Sequence, residues 1–414
     1  MLRSGIALAI TAGKIRIALF HPSLIAGGIQ RVFVNLARGF VERGFAVDMV
    51  QATPEGGFRH AVPEGVRLID LNASRALTSL RPLVRYLRQQ RPQVLISGAI
   101  QTNLVSVWAR RIARVPIRLI LTEHNIISTI TTGAPMIRTR MTPFFVRHVY
   151  PRADELVAVS QGAAQDLADT IGSCSRKIHV IYNPIINHEF WRRAEEQPDD
   201  ARLDGDLRPI VLAVGRLHYH KDYPTLLHAF AIVRRKMDAK LVFLGDGEER
   251  ERLEALTRGL GVETAVIFLG DVANPLPYMK YAKVLALSSM VEALPTVLIE
   301  ALAMNLPVVA TDCPSGPREI LRNGAYGTLV PVGDSSRMAA AILDVLRAPD
   351  VPMITKDALE LFQHDQVIEQ YLAIMGVDAA LRGPLVAAEP TALQNNSATR
   401  SNEGRHSVRS GSKP

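Results

Sequence analysis

Short, continuous apolar runs separated by helical patterns constrain the fold of this chain more than any other feature. The first half contains KIRIALF (14 to 20), FAVDMVQA (45 to 52), VRLIDL (66 to 71), VLISG (94 to 98), IRLILTEHN (117 to 125) and ELVAVS (155 to 160). The second half contains PIVLAVG (209 to 215), AKLVFLG (239 to 245), VIFLG (266 to 270), VLALSS (284 to 289), PVVATD (307 to 312) and GTLVP (327 to 331). Uninterrupted apolar runs indicate strands buried on both faces, hence parallel sheets covered by helices. The sequence therefore predicts an α/β protein of two doubly wound, Rossmann-like domains.

A polar segment separates the two strand-rich halves and sets the expected domain boundaries. We expect an irregular extension at 1–13, a first domain at 14–190, a linker at 191–208, a second domain at 209–355, a helix that packs back toward the first domain at 356–382 and a disordered polar tail at 383–414.

Cysteine content and hydropathy indicate where such a chain works. Cys174 and Cys313 are too few for a disulfide framework or a cysteine-based zinc site, so we expect a reducing, cytoplasmic setting. No stretch reaches ~18 uninterrupted apolar residues, and we therefore expect no helix that spans a bilayer. The apolar run within residues 1–13 has no convincing cleavage site, so a signal peptide is not expected.

The positive charge is concentrated in the first part of the chain. Residues 1–150 contain 20 Lys and Arg against 6 Asp and Glu, whereas the remainder contains 28 against 34. A basic first domain predicts an anionic partner, and we expect peripheral contact with an anionic membrane at the inner face of the plasma membrane. Nucleic acid is not expected, because no recognition motif is present.

One stretch of the first domain, SRALTSLRPLVRYLRQQRP, is amphipathic. It places arginines on one helical face, Arg75, Arg81, Arg85, Arg88 and Arg91, and apolar side chains on the other, Leu80, Leu83, Val84 and Leu87. This pattern is typical of a helix that lies on a membrane surface. A solvated face on an ordinary core helix explains it equally well.

In open α/β sheets, ligands bind beyond the carboxyl ends of the strands. Arg216 ends the first strand of the second half, and Lys221 comes five residues later, just before a predicted helix start. Guanidinium, ammonium and the unpaired N–H groups of a helix N-terminus all favour negative charge, so this turn fits a diphosphate. The alternative is a pair of exposed basic residues in a polar turn.

The next two strand ends offer weaker signals. Gly245, in LGDGEE, would permit close backbone approach to a ligand, although on its own a plain turn is the better interpretation of such a glycine. Val272, in VIFLGDV, follows the third strand, where backbone groups could frame a nucleobase.

Two carboxylates stand eight positions apart in EALPTVLIEALA. Glu292 follows the fourth strand and Glu300 lies in the helix after it, so both can reach the same cleft. Carboxylates accept hydrogen bonds from hydroxyls, and this pair could hold a sugar and a ribose on either side of the phosphates. The alternative is a helix-dipole partner and a buried salt bridge.

The first domain contributes two further candidates. Gly27 and Gly28 lie between the first strand and a helix, but their spacing is not that of a dinucleotide fingerprint. His124 ends another strand and could contact the transferred group or donate a proton. A histidine satisfied within the core or a loop remains the alternative.

These stretches resemble the retaining GT-B glycosyltransferases of glycosyltransferase family 4 over about residues 14–375. The matching stretches are GGIQRVFVNLA, VSQGAAQDL, VIYNP, GRLHYHKDYPTLLHAF, LGDGEERERLEAL, FLGDV and EALPTVLIEALAMNLPVVATDCPSGPREIL. The SGPREIL ending is similar to the subgroup that builds bacterial lipid-linked oligosaccharides, capsules and exopolysaccharides. The resemblance implies two Rossmann-like domains that face a cleft, and a sugar transferred from a UDP- or GDP-linked donor to a lipid-linked or polysaccharide acceptor.

The resemblance also implies roles for individual residues. Arg216 and Lys221 would bind the donor diphosphate, Glu292 would orient the sugar and Glu300 would bind the ribose. Gly28 would lie beside the phosphates, with Gly27 next to it, and His124 beside the sugar. We assign Leu294, Pro295 and Thr296, between the two glutamates, to the same donor site.

Two positions depart from the family pattern. Ala293 stands where the family usually has glycine, which we expect to narrow the space near the sugar, and Met304 and Asn305 replace a common Cys-Gly. Asparagine tolerates left-handed backbone geometry, so the second change is expected to be mild.

We expect no metal and no cofactor. The one Asp-x-Asp, Asp204 and Asp206, precedes a strand instead of following one and is poorly placed to hold a metal against phosphates. Two other classes of function remain open, a nucleotide-sugar 2-epimerase and a non-catalytic partner that keeps the fold.

Overall fold

The computed structural model describes residues 15–24, 27–54, 56–130, 141–172, 178–198, 208–347 and 356–376. The predicted N-terminal extension and polar tail lie outside these ranges, as do Cys174, Asp204 and Asp206.

Seven parallel strands form the sheet of the first domain, in the order β3-β2-β1-β4-β5-β6-β7. Their bounds are β1 Arg16–His21, β2 Ala46–Gln51, β3 Val66–Asp70, β4 Val94–Gly98, β5 Arg118–Glu123, β6 Glu155–Ala158 and β7 Ile178–Val180. The helices of this part are α1 Gly28–Glu42, α2 Leu80–Gln90, α3 Ile100–Ala113, α4 Ile127–Ile130, α5 Thr142–Val149, α6 Gln161–Ile171 and α7 His188–Ala194.

Six parallel strands form the second sheet, in the order β10-β9-β8-β11-β12-β13. Their bounds are β8 Ile210–Val214, β9 Lys240–Leu244, β10 Val266–Gly270, β11 Ala282–Leu287, β12 Val308–Thr311 and β13 Thr328–Val330. The remaining helices are α8 Tyr223–Arg234, α9 Arg250–Leu260, α10 Leu276–Tyr281, α11 Thr296–Ala303, α12 Pro317–Ile320, α13 Ser335–Arg347, α14 Lys356–Leu359 and α15 His364–Met375.

Helices cover both faces of each sheet. In the first domain, α1 and α15 pack on one face, and α2, α3, α5 and α6 pack on the other. In the second, α8, α9 and α13 lie opposite α10, α11 and α12. Helix α1 shows the cause, because Val32, Phe33, Leu36 and Phe40 recur at helical spacing and are all buried. The predicted fold, two doubly wound α/β domains, is confirmed.

The order of each sheet reverses beside its first strand. β1 lies between β2 and β4, and β8 lies between β9 and β11, so the loops after β1 and β8 open at a topological switch point. Gly27 and Gly28 follow β1, and Arg216 follows β8. The fold therefore places these predicted site residues where open α/β sheets bind ligands.

Helix α2 is a core helix. Leu83, Val84 and Leu87 are buried in the first domain, and only the arginine face is exposed. Of the two interpretations of the amphipathic pattern, the ordinary core helix is correct, because the apolar face packs against α3 and belongs to the core of the first domain. Its leucines therefore cannot enter a lipid surface.

Candidate active site

Lys221 and Glu292 form the centre of the site. The Lys221 ammonium donates a hydrogen bond of 2.6 Å to Oε1 of Glu292, and the Ser289 hydroxyl donates to the same oxygen at 2.6 Å. Ser288 Oγ donates to the backbone carbonyl of Lys221 at 2.7 Å. Two loops at the edge of the second sheet, after β8 and β11, are thus held together. Within the described part of the chain, Oε2 of Glu292 has no hydrogen-bond partner.

Arg216 lies near this pair but points elsewhere. Its side chain is 72% exposed, and its guanidinium donates to Oε2 of Glu248 at 3.0 Å. The preceding residue, Gly215, lies against Lys221, where a Cβ would stand 3.6 Å from the ammonium nitrogen. The structure therefore brings Lys221 and Glu292 into contact and leaves the arginine at the rim, paired with a surface carboxylate.

Gly245 is explained by contact between two loops. A Cβ at this position would lie 2.2 Å from the carbonyl oxygen of Gly215, and the residue has a φ of +132° that favours glycine. The missing side chain thus lets the loops after β8 and β9 meet. Val272, which follows β10, is partly buried against the core of the second domain.

Glu300 lies in α11 and is almost fully buried, with 5% of its side chain exposed. Its Oε1 accepts a hydrogen bond of 2.9 Å from Arg31 of α1, in the opposite domain. Before it, Leu294 is buried, Pro295 is the residue that caps the helix and Thr296 is the first helical residue. The structure places Glu300 at the junction of the two domains.

His124 follows β5 and is held by a relay of hydrogen bonds. Thr122 Oγ1 donates to the carbonyl of Ser97 at 3.1 Å and lies 3.0 Å from Nε2 of His124. Because a hydroxyl has a single proton, Nε2 is the donor in the second contact, which leaves Nδ1 as an acceptor. Burial lowers the pKa of His124 to about 4, so the ring is neutral at pH 7.

Sequence reasoning missed Glu123, the neighbour of that histidine. Its buried carboxylate accepts hydrogen bonds of 3.1 Å from the backbone N–H groups of His124 and Asn125 and one of 2.9 Å from the Tyr150 hydroxyl. Burial raises the pKa of Glu123 to about 7, and these donors oppose the rise. Glu123 therefore shapes the loop that carries His124.

Gly27 and Gly28 stand exposed at the start of α1. Among the described residues, no atom lies within 4 Å of a Cβ added to Gly28 and no side chain caps the first turn. Open space and free backbone N–H groups therefore meet at this helix end.

The two domains touch beside the site through stretches that the sequence singled out. Ser160 and Ser315 are hydrogen-bonded at 2.8 Å, and a Cβ on Gly162 would collide with Ser315. The Glu319 carboxylate accepts hydrogen bonds from the backbone N–H of Gln161 at 3.0 Å and from the Tyr182 hydroxyl. The VSQGAAQDL and SGPREIL stretches thus build the domain interface.

Ala293 also belongs to this interface. It packs with Val291 against a small cluster of the first domain that contains Ile126, Ala158 and Ala163. The methyl group that replaces the family's usual glycine hence contacts the opposite domain. The expectation that this methyl group narrows the space near the sugar stays a prediction.

The described residues contain no group of three or more His, Cys, Asp and Glu side chains arranged to hold a metal ion. Arg31, Glu123 and Glu319 were not singled out by sequence. Arg31 and Glu319 act through partners on the opposite domain, which no local spacing could reveal. Glu123 binds the N–H groups of the next two residues and the Tyr150 hydroxyl, and the local signal for it was an acidic residue at the end of an apolar strand.

Comparison with known families decides the affiliation. The model described as "Glycosyltransferase Family 4" matches residues 26–187, and the model described as "Glycosyl transferases group 1" matches residues 195–359. Together they match both domains. The chain belongs to the glycosyltransferases. The predicted glycosyltransferase affiliation is confirmed, and the GT-B fold is the one shown by the structural neighbours. Retention of anomeric configuration stays a prediction.

Several relatives of the chain are glycosyltransferases by name. One is the N-acetylgalactosamine-N,N'-diacetylbacillosaminyl-diphospho-undecaprenol 4-alpha-N-acetylgalactosaminyltransferase of Campylobacter jejuni, 35% identical over 49% of this chain and 53% of that protein. An uncharacterized glycosyltransferase of Methanocaldococcus jannaschii is 31% identical over 42% of this chain and 44% of its own length. The chain thus aligns with about half the length of these two relatives. The lipopolysaccharide core biosynthesis glycosyltransferase LpsE of Rhizobium meliloti is 28% identical over 88% of this chain and 97% of its own.

Solved structures share the fold at lower identity. The glycosyltransferase superposes on Anabaena Alr3699/HepE in complex with UDP and glucose with a TM-score of 0.73 and 20% identity, over 87% of this chain and 99% of that one. The lipopolysaccharide outer core galactosyltransferase WaaB, in its apo form, superposes with a TM-score of 0.65 and 20% identity, over 87% of this chain and 99% of that one.

Proposed function

We propose that the protein transfers a sugar from a UDP- or GDP-linked donor to a lipid-linked or polysaccharide acceptor in bacterial surface glycan biosynthesis, with retention of anomeric configuration. The contact between Lys221 and Glu292 at the switch point carries the proposal, because it places a cation and a hydroxyl acceptor together. Relatives named for lipid-linked and lipopolysaccharide substrates, and a neighbour solved with UDP and glucose, support it.

The cations of the second domain would receive the diphosphate. Lys221 uses one N–H on Glu292 and keeps two for phosphate oxygens. Arg216 is exposed and would exchange Glu248 for phosphate, since a dianion outcompetes a solvated surface carboxylate. Neutralising the leaving group electrostatically is the main contribution expected of the protein. On this account no metal is needed.

The two glutamates would hold the hydroxyls on either side of the diphosphate. Glu292 Oε1 is occupied by Lys221 and Ser289, which leaves Oε2 for the transferred sugar. Glu300 would accept a hydrogen bond from the ribose, as the family resemblance implies. His124 is neutral, so it would bind a sugar hydroxyl through Nδ1 and would not act as a charged proton donor.

The reaction would proceed on one face of the sugar. The bond from the anomeric carbon to the phosphate oxygen breaks, and the acceptor hydroxyl oxygen bonds to that carbon from the same side. The hydroxyl proton passes to the departing phosphate oxygen. Retention follows from this geometry without a covalent enzyme intermediate.

Purified protein incubated with UDP- and GDP-sugars and with bacterial polyprenol-linked acceptors tests the proposal. We expect Glu292→Ala and Arg216→Ala to abolish transfer while circular dichroism stays unchanged. Arg252→Ala, a surface arginine of the same domain paired with Glu249, is the control and should keep full activity. Full transfer by both site variants would refute the site, and an altered free sugar without acceptor would indicate an epimerase.

We also propose that the first domain docks on an anionic membrane through the outer surface of α2, α3 and α5. Trp108 and Ile112 of α3 and the adjacent Phe144 and Phe145 of α5 are exposed, Phe144 by 52%. The exposed arginine face of α2 borders this surface, because Arg88 donates a hydrogen bond of 2.9 Å to the Ile112 carbonyl. Exposed aromatic groups rimmed by cations fit a lipid surface of negative charge. None of the described helices is long and apolar enough to cross a bilayer.

Tryptophan fluorescence can report this contact, because the chain has two tryptophans. In a Trp191→Phe background, we expect Trp108 emission to shift to the blue with phosphatidylglycerol vesicles but not with phosphatidylcholine vesicles. The shift should weaken as salt is raised, since exposed charges are screened within ~8 Å at physiological ionic strength. Equal binding to neutral vesicles, or no shift at all, would contradict the docking surface.

A further inference from the structure

A salt bridge joins the two domains at the buried glutamate of α11. Arg31 Nη1 lies 2.9 Å from Oε1 of Glu300, across 269 positions of sequence. Arg31 is in the first turns of α1, just beyond Gly27 and Gly28, and its side chain is 25% exposed. The first domain therefore supplies a cation to a carboxylate of the second.

This carboxylate needs its partner. A buried ionised carboxylate is costly unless it is paired and hydrogen-bonded, and Glu300 is nearly inaccessible to water. Among the residues that the structure describes, Arg31 is the hydrogen-bond donor to it. The pKa of Arg193 is lowered by burial and by the charge of Arg31, whereas the charge of Glu300 raises it, so this second arginine also interacts electrostatically with the glutamate. The glutamate is thus held in a positively charged surrounding.

The pairing leaves the two carboxylate oxygens unequal. Oε1 is occupied by the guanidinium, whereas Oε2 accepts no hydrogen bond from any described residue. A carboxylate that is hydrogen-bonded at one oxygen rotates less freely, so the direction of its other lone pairs is restricted. Arg31 therefore determines how Glu300 presents an acceptor to a ligand.

We propose that Arg31 is a positioning residue for donor recognition, which holds Oε1 of Glu300 from the opposite domain so that Oε2 accepts a hydrogen bond from a ribose hydroxyl. The inference rests on the proposed function, because it takes Glu300 as the ribose ligand. It makes the ribose specificity of the second domain depend on contact with the first.

Calorimetric titration with UDP, 2′-deoxy-UDP and 3′-deoxy-UDP, and with the matching GDP series, tests this role. The wild type should prefer the ribonucleotide over at least one deoxy form. Arg31→Ala should weaken ribonucleotide binding about tenfold and bring the ribonucleotide-to-deoxynucleotide ratio of Kd close to one. Arg31→Lys, which keeps the charge but loses the planar fork, should retain part of that ratio.

Arg43→Ala is the matched control. Arg43 is the residue that ends the same helix α1, and it pairs with Asp365 and Glu369 of α15, remote from Glu300. We expect this variant to lose thermal stability and to keep the wild-type preference for ribose. A loss of discrimination in both variants would mean that any damage to α1 has the same effect, and would overturn the proposal.

The remaining outcomes separate the two proposals. If the wild type binds neither nucleotide, the nucleotide-sugar site fails and this inference fails with it. If the wild type prefers ribose and Arg31→Ala keeps the same ratio, or binds more tightly, the positioning role alone is wrong. An equal loss for ribo and deoxy forms in Arg31→Ala also overturns it, because a merely structural role would weaken both.

Discussion

Single residues of the candidate site act for reasons that differ even within one residue type. Gly28 faces open space, whereas Gly245 is pressed against the backbone of Gly215. The sequence suggested close backbone approach to a ligand for Gly245 and phosphate proximity for Gly28, but it could not distinguish packing from binding. That distinction depends on which atoms stand opposite, and these come from another loop.

Alanine substitution of the two glycines should separate these reasons. The free energy of unfolding of Gly28→Ala should lie within ~0.5 kcal/mol of the wild-type value, since no described atom opposes the new Cβ. The same variant should bind a nucleoside diphosphate about tenfold more weakly. Gly245→Ala should lose at least ~2 kcal/mol, because its φ of +132° and the facing carbonyl both reject a side chain. Urea unfolding and calorimetry measure the two effects. Similar unfolding energies for the pair would contradict this account.

Glu123 makes stability depend on pH in a defined direction. Its pKa rises from 4.5 in a free chain to about 7 in the fold, so the folded state holds a proton that the unfolded state releases. Stability from this group is fully present below pH 4.5, falls as the pH rises toward 7 and is constant above. At about 1.4 kcal/mol per pH unit, the loss is roughly 3 kcal/mol.

Glu123→Gln isolates this effect, because other titrating groups are common to both proteins. The unfolding free energy of the wild type minus that of the variant should fall by roughly 3 kcal/mol between pH 4.5 and 7.5. His21 and His124, whose pKa values are lowered to about 4, act in the opposite direction but cancel in the difference. If urea unfolding gives a free-energy difference between the two proteins that does not change with pH, the raised pKa of Glu123 is ruled out.

At the scale of elements, the sequence predicted most strands because each is a buried apolar run. Strand β7 was missed, because Ile178–Val180 is three residues long, contains a histidine and is only partly buried. The amphipathic pattern of α2 was correctly recognised, but the pattern alone could not show whether its apolar face contacts the protein core or a membrane. Burial by α3, a partner remote from local spacing, decides between them.

Directly after α11, asparagine replaces the glycine that is common in the family, and the local backbone conformation tolerates it. Asn305 follows the helix with a φ of +52°, the left-handed geometry that the common glycine would adopt. Asn305→Ala should therefore lose about 1 kcal/mol in the free energy of unfolding, since alanine has no local polar group to offset the left-handed strain. Asn305→Gly should stay close to the wild type. Equal free energies of unfolding for Asn305→Ala and Asn305→Gly, measured by chemical denaturation, would contradict this explanation.

At the scale of the whole molecule, the interface beside the site is built by motifs whose purpose the sequence did not reveal. The SGPREIL ending served only as a subgroup marker, yet it supplies Ser315 and Glu319 to the first domain. The carboxylate of Glu319 lies at the N-terminus of α6, where the helix dipole favours negative charge. Such contacts join residues about 150 positions apart, which no local pattern encodes.

Glu319→Ala should loosen the two domains without unfolding either. Removing an acceptor of two hydrogen bonds at the interface costs on the order of 2 kcal/mol, enough to change the balance of closed and open forms about thirtyfold. We expect a larger radius of gyration by X-ray scattering in the absence of nucleotide. Arg318→Ala, whose guanidinium pairs with Asp312 in its own domain, is the control. Identical scattering from Glu319→Ala and the wild type would refute the idea that Glu319 holds the two domains together.

Helix α15 fixes the order in which a ribosome-borne chain can fold. Val367, Ile368 and Tyr371 complete the hydrophobic core on the α1 face of the first sheet, although they are synthesised last. The amino-terminal half therefore emerges with an unfinished face, because α15 begins 184 positions after Val180, the end of the first sheet. The later half has all its own strands by Val330 and can reach its native packing first. We accordingly expect nascent chains truncated before His364 to recruit chaperones through the exposed side of α1.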